Sequence, residues 1–168
     1  MTHRRTRLLL GAAVVVSGLL AGGVFDRVIV GGPAWHALGA EAWAQFSRVA
    51  DLGTGVIAYP VEGIGAATLL LAAVVSNHLD GKARSVAPIL LYLAAAFSVL
   101  GLFFTVKAAP IMLGLNSALP SAEVQRSFDQ FFFWGLYLRG AADGLAFIAG
   151  VCALAHSHHI AKPAEYAS

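Results

Sequence analysis

Residues 131–155 read FFFWGLYLRGAADGLAFIAGVCALA. The run is apolar and long enough to cross a bilayer as a helix, which takes roughly 20 residues. Yet Arg139 and Asp143 lie inside it. A charge in hydrocarbon costs about 3 kcal/mol on insertion scales, so such residues face a protein interior or a wet cavity. At i,i+4 spacing the two project from one side of the helix and offset each other. Gly140 and Gly144 form a small-xxx-small notch beside them, which admits a neighbouring helix. The charged side of this helix is where function is expected.

The rest of the chain has the same character. Of 168 residues, 58% are hydrophobic and only 12% charged, with a mean hydropathy of +0.75. A soluble domain of this size has no use for so much apolar surface, so the chain reads as one integral membrane domain, residues 1–168. A net charge of +2, widely spread, excludes a nucleic-acid partner. The single cysteine, Cys152, excludes an intrachain disulfide.

Four spans are predicted, approximately 7–30, 54–76, 85–109 and 131–155, forming an all-α up-and-down transmembrane bundle. Arg4, Arg5 and Arg7 precede the first, which also fits a secretory signal pattern; with three spans downstream it is read as a retained helix. On it, Gly18, Gly22 and Asp26 form a stripe of small residues leading to an acid. In the first loop, Trp35, Leu38, Ala42, Phe46 and Val49 recur at helical spacing opposite Glu41, Gln45 and Arg48. This predicts a short interfacial helix anchored by Trp35 and Trp43. The second span carries Pro60 in its first turns, with Tyr59, Glu62 and Ala66 on one face. A short polar turn, 77–84, leads to the third span, whose Ala94, Ser98, Gly101 and Thr105 line one side. Lys107 and Pro110 close it, and Pro120-Ser121 with Glu123 marks a helix start in the loop that follows.

The basic residues Arg4, Arg5, Arg7, Lys82, Arg84 and Lys162 share one side of this arrangement, so the positive-inside rule expects a multi-pass protein of the cell membrane with both termini cytoplasmic. The polar residues then sort to the outer half: Asp26, Tyr59, Glu62, Thr105, Lys107, Trp134, Tyr137 and Arg139, with Asp143 nearer the middle. That predicts either an outward-opening polar cavity or a buried ion-pair network that fixes helix register. In a cavity, Arg139 would hold an oxyanion and Glu62 would act as base, since an apolar surround strengthens a carboxylate as a proton acceptor. Tyr59, Trp134, Tyr137, Asp143 and Asp26 would bind substrate. His156, His158 and His159 lack the spacing that fixes metal geometry. No Ser/His/Asp set, phosphate-binding loop or haem motif is present, and no metal or other cofactor is expected.

Three further features carry a family resemblance: Gly22-Gly23 followed by Pro33-Ala-Trp-His-Ala-Leu38; Pro110-Ile-Met-Leu-Gly-Leu-Asn116 after the third span; and Trp134-Gly-Leu-Tyr-Leu-Arg139 entering the last. Together these resemble the anthrone oxygenase-like family of small four-span membrane proteins. The resemblance implies cofactor-independent oxidation of a lipophilic aromatic, such as an anthrone, phenol or quinol, entering from the lipid. It carries over to Trp134, Arg139, Pro110 and Asn116, adding Asn116 to the candidate substrate-binding residues. The competing expectation is a non-catalytic four-span subunit, similar to the DoxX-like class, that binds lipid or quinone, forms a homo-oligomer or supports a partner membrane protein.

Overall fold

A computed structural model describes residues 2–79, 87–117 and 119–160. The described residues are helical throughout apart from short connections. The helices are α1 (Thr2–Asp26), α2 (Gly32–Leu38), α3 (Ala40–Val49), α4 (Gly55–Leu79), α5 (Pro88–Gly114), α6 (Ser121–Phe131) and α7 (Arg139–Ile160). Two π-helical segments, Arg27–Gly31 and Phe132–Leu138, join α1 to α2 and α6 to α7 without a break. Four stretches are long and apolar enough to cross a membrane: Arg4–Leu38, Gly55–Leu79, Pro88–Gly114 and Ser121–Ser157.

These form a four-helix bundle. Both α1 and α5 pack on α4 and on α7, so α1 and α5 occupy one diagonal and α4 and α7 the other. Large apolar side chains such as Val15, Leu19, Ile57, Val61, Ile89, Phe103, Val106 and Ile148 point outward. That much exposed hydrocarbon is untenable in water and suits lipid, so this is a multi-pass membrane protein. Where helices meet, small residues let them approach. Val24 and Phe25 of α1 lie over Gly140 and Gly144 of α7, and Phe147 of α7 lies over Gly18 of α1. Gly22, the other half of the first small-residue pair, faces open space.

Apart from the last span, which is continuous with α6 from Ser121 rather than beginning at 131, three boundaries differ from the sequence expectation. Span one does not end at Val30 but runs through the first π segment to Leu38. Gly39, at φ +92°, then breaks the helix in a conformation that glycine adopts without penalty. The single interfacial helix of the sequence is therefore two pieces out of phase. Trp43 is fully buried and Trp35 nearly so, while Leu38 and Val49 are 71% and 80% exposed. Second, α5 does not close at Pro110 but continues through it to Gly114. Third, Asn77 lies in the last turns of α4, fully buried, rather than in a polar turn. With the Thr6–Ser76 hydrogen bond (2.6 Å) it makes the end of the bundle that bears the chain termini less purely apolar than expected. Residues 80–86 of that turn lie outside the described residues, and so do Lys162 and the side chains of His158 and His159. The start of α6 at Ser121, with Glu123 in its first turn, is as read.

The core has two apolar clusters. At the terminal end, Leu10, Leu70, Leu91 and the alanines around them interlock. At the opposite end α3 lies across α6, and Trp43 sets its ring against Phe128 and Phe131 at 5.4 and 5.5 Å. Arg48 Nε donates to the Leu115 carbonyl at 2.7 Å, tying α3 to the end of α5. This aromatic cluster caps the bundle. Trp43→Ala is expected to cost about 3–5 kcal/mol, the range for emptying a buried large aromatic site, and a lowered melting temperature in mild detergent checks it. The polar site lies next to this cap.

Candidate functional site

Following α1 along its buried face gives Leu10, Ala13, Ser17, Leu20 and Val24. The next step of three along that stripe is Arg27, the first residue of the π segment, and its side chain turns inward. Its Nη2 donates to Asp51 Oδ1 and to the Tyr59 hydroxyl, and its guanidinium lies 4.8 Å from the Tyr59 ring centroid. Tyr59 in turn donates to Asp51 Oδ1 at 3.4 Å. Asp51 comes from the α3–α4 connection, so the triad clamps the end of α1 to the start of α4.

On the neighbouring α7, whose Gly140 packs against Val24, Arg139 follows the second π segment. Its Nε lies 3.3 Å from Asp143 Oδ2, with the side chains 13% and 5% exposed. The contact is an ion pair without hydrogen-bond alignment, and Oδ2 has no other partner among the described residues. Asp143 Oδ1 is pressed against Gly101 of α5. Because Arg139 is held through Nε, its two Nη nitrogens make no hydrogen bond among the described residues.

Between these clamps is a two-lobed cavity. A polar lobe of about 230 Å³ has Asp26, Glu62, Leu20, Val24, Gly135 and Leu136 in its wall. An apolar lobe of about 250 Å³ is lined by α4 and α5, including Val56, Pro60, Thr105, Ala108, Met112 and Leu113, with Asp51 and Leu52 at its end. Arg27, Tyr59, Phe131 and Arg139 belong to both walls. An apolar cavity of about 150 Å³ is enough to admit benzene, so either lobe accommodates an aromatic ring. Both π segments border the cavity, where such irregular turns are frequently functional.

The structure thus brings Arg139, Glu62, Tyr59 and Asp26 to one cavity. Glu62 is half-buried and makes no hydrogen bond or ion pair among the described residues; Asp26 is exposed at the rim. Arg139 pairs with Asp143, not with Glu62. Asp143 lies behind Arg139 and outside both walls, placed to orient the arginine rather than to touch a ligand. Trp134 does not line the cavity but packs against Phe104 and Phe133. Tyr137 is half exposed in the π segment before α7, edge-on to Phe132. Asn116 is exposed in the turn after α5, away from both lobes. Lys107 is exposed and stacks over Phe103. Among the described residues no group of three or more His, Cys, Asp or Glu side chains could hold a metal ion. Comparisons with protein-family models, with curated proteins and with solved structures each find no match to this chain.

Proposed function

We propose that this multi-pass membrane protein binds, in the two-lobed cavity, a lipophilic aromatic with an acidic hydroxyl or an enolisable carbonyl, and oxidises it without a cofactor. The observation that carries the reading is the pairing, in one wall, of Arg139 with free Nη donors and Glu62 with a free carboxylate. Glu62 takes the proton, and Arg139 holds the oxyanion in a water-poor site, where fixed donors stabilise developing charge most. The resulting enolate passes its electrons to dioxygen, which dissolves in lipid. With an enolisable carbonyl an activated methylene is then converted to a carbonyl, the second oxygen atom leaving as water with the two carbon-bound hydrogens; with a quinol, dioxygen takes two electrons and both hydroxyl hydrogens, giving the quinone and hydrogen peroxide. The apolar lobe receives the rings. The basic residues near the termini support a cytoplasmic position for both ends, which puts the cavity in the outer half of the membrane.

A positioned general base contributes about 10²–10⁴-fold. Glu62→Gln is therefore expected to retain a bound aromatic in native mass spectra while slowing dioxygen consumption, with an anthrone or a quinol as substrate, at least about a hundredfold. Undiminished turnover in Glu62→Gln would remove Glu62 as the base.

The second reading, a non-catalytic four-span subunit, draws on the fact that each arginine of the cavity wall already meets a carboxylate, Arg27 with Asp51 and Arg139 with Asp143. On that reading the pairs are clamps, the purified protein carries no aromatic, and it co-purifies with a larger enzyme.

A further inference from the structure

Asp51 is a wall residue of the apolar lobe, and its side chain is only 4% exposed. One carboxylate oxygen is fully engaged: Oδ1 accepts from Arg27 and from Tyr59. The other, Oδ2, is buried and has no hydrogen-bond partner among the described residues. A buried acceptor left without a donor carries the full cost of its desolvation, and each such group calls for a physical account. Among the described residues no side chain of that wall gives it one. Thr105 Oγ1 donates to the Gly101 carbonyl at 3.0 Å, Tyr59 donates to Oδ1, and Arg27 gives Nη2 to Oδ1 and to Tyr59. Donors without a hydrogen bond remain on Arg27, at Nε and Nη1, and on the two Nη nitrogens of Arg139, at the junction of the lobes.

We infer that Asp51 makes the apolar lobe selective for a ligand that brings a hydroxyl donor to it, while an oxygen acceptor or oxyanion at the ligand's other end meets Arg139. The inference rests on the ligand-binding reading above and narrows its ligand class. The favoured molecule is an aromatic ring with two oxygen functions, at least one a free hydroxyl, as in a hydroquinone. A quinone offers only carbonyl acceptors and would set one against a carboxylate oxygen. An ether of the same skeleton also lacks the donor. Sites built to meet a hydroxyl reject analogues without it far more strongly than apolar pockets reject a change of size. The same rule releases product: when dioxygen takes two electrons and both hydroxyl hydrogens from a hydroquinone and leaves as hydrogen peroxide, both hydroxyls become carbonyls and the donor that Asp51 retains is lost.

The test is equilibrium binding of three probes to the full-length protein in one detergent: a decyl-substituted hydroquinone, its dimethyl ether and the corresponding benzoquinone. The wild type is expected to bind the hydroquinone at least about tenfold more tightly than either analogue. In Asp51→Asn the amide oxygen keeps Arg27 and Tyr59 while the amide nitrogen becomes a donor, so the preference is expected to shift toward the quinone. Equal binding of the three probes by the wild type overturns the inference, and so does an unchanged preference in a folded Asp51→Asn. If Asp51→Asn does not fold, the wild-type comparison decides alone. Equal binding that is abolished by Arg139→Met would leave the cavity reading standing and remove only the role of Asp51; no binding of any probe removes both.

Discussion

Arg139→Met is expected to lower the unfolding free energy by about 3–5 kcal/mol and to empty the cavity, whereas Arg139→Met/Asp143→Leu recovers most of the stability and none of the ligand. The two halves of this result have different causes. Arg139 and Asp143 are both largely buried between α5 and α7, so removing the arginine leaves a carboxylate desolvated and uncompensated. Replacing both with apolar residues of similar volume removes that penalty, and exchanges of this kind are often neutral or stabilising. The ligand contact follows a separate logic, because Arg139 meets Asp143 through Nε while its Nη nitrogens are left for the cavity. A paired apolar replacement therefore restores the helix packing but not the donors. Denaturation in mild detergent with mass analysis of the bound molecule reads both quantities on the same samples. A double variant as unstable as the single one would show that the pair is not the source of the loss. A bound aromatic retained by the double variant would take Arg139 out of the binding site and favour the clamp.

The overall architecture was legible because a membrane protein announces its spans by length and apolarity alone. The inside of the bundle was less so, because lipid and core ask for the same residues. On α1 the conspicuous pattern, Gly18–Gly22–Asp26, led to a residue at the exposed rim. The informative one was quieter: Ala13, Ser17 and Ala21 among larger neighbours mark the buried face, and its continuation reaches Arg27. In the sequence that arginine stands inside an apolar span beside Asp26, with nothing in the motif pattern to mark it as a site residue. Asp51 was hidden for another reason. A carboxylate in a glycine-rich connection reads as solvated, and its partner lies 24 residues earlier in the chain. The aromatic entry to the last span misled because a shared stretch is not a shared face. At about 100° per residue in a regular helix, Trp134 and Tyr137 stand about 140° and about 200° from Arg139. In the π segment Phe132–Leu138 neither of them lines the cavity. Arg139 and Asp143, beyond it in regular α7, keep the i,i+4 relation that the sequence predicted.

The second large effect is expected at Gly101, which no charge or motif marks. In an isolated helix, Gly→Ala stabilises by about 1 kcal/mol. Here the sign is expected to reverse: a Cβ at residue 101 would collide with Asp143 Oδ1, and Asp143 is too short a side chain to withdraw without leaving Arg139. Overpacking of this kind typically costs about 1–3 kcal/mol, and here the loosened ion pair adds to it, so Gly101→Ala is expected at the upper end of that range. Gly22→Ala supplies the control, since nothing lies within 4 Å of its added methyl, and it is expected to be neutral or stabilising. The mechanism makes a further demand. If the collision is with the carboxylate, then shortening residue 143 must relieve it, and residues in contact give non-additive effects. Gly101→Ala should therefore cost at least about 1 kcal/mol less in an Asp143→Ala background than in the wild type. Additive costs across that cycle would mean that the α5–α7 contact is set by the backbone alone, with no part played by the charge that α7 holds inside the membrane.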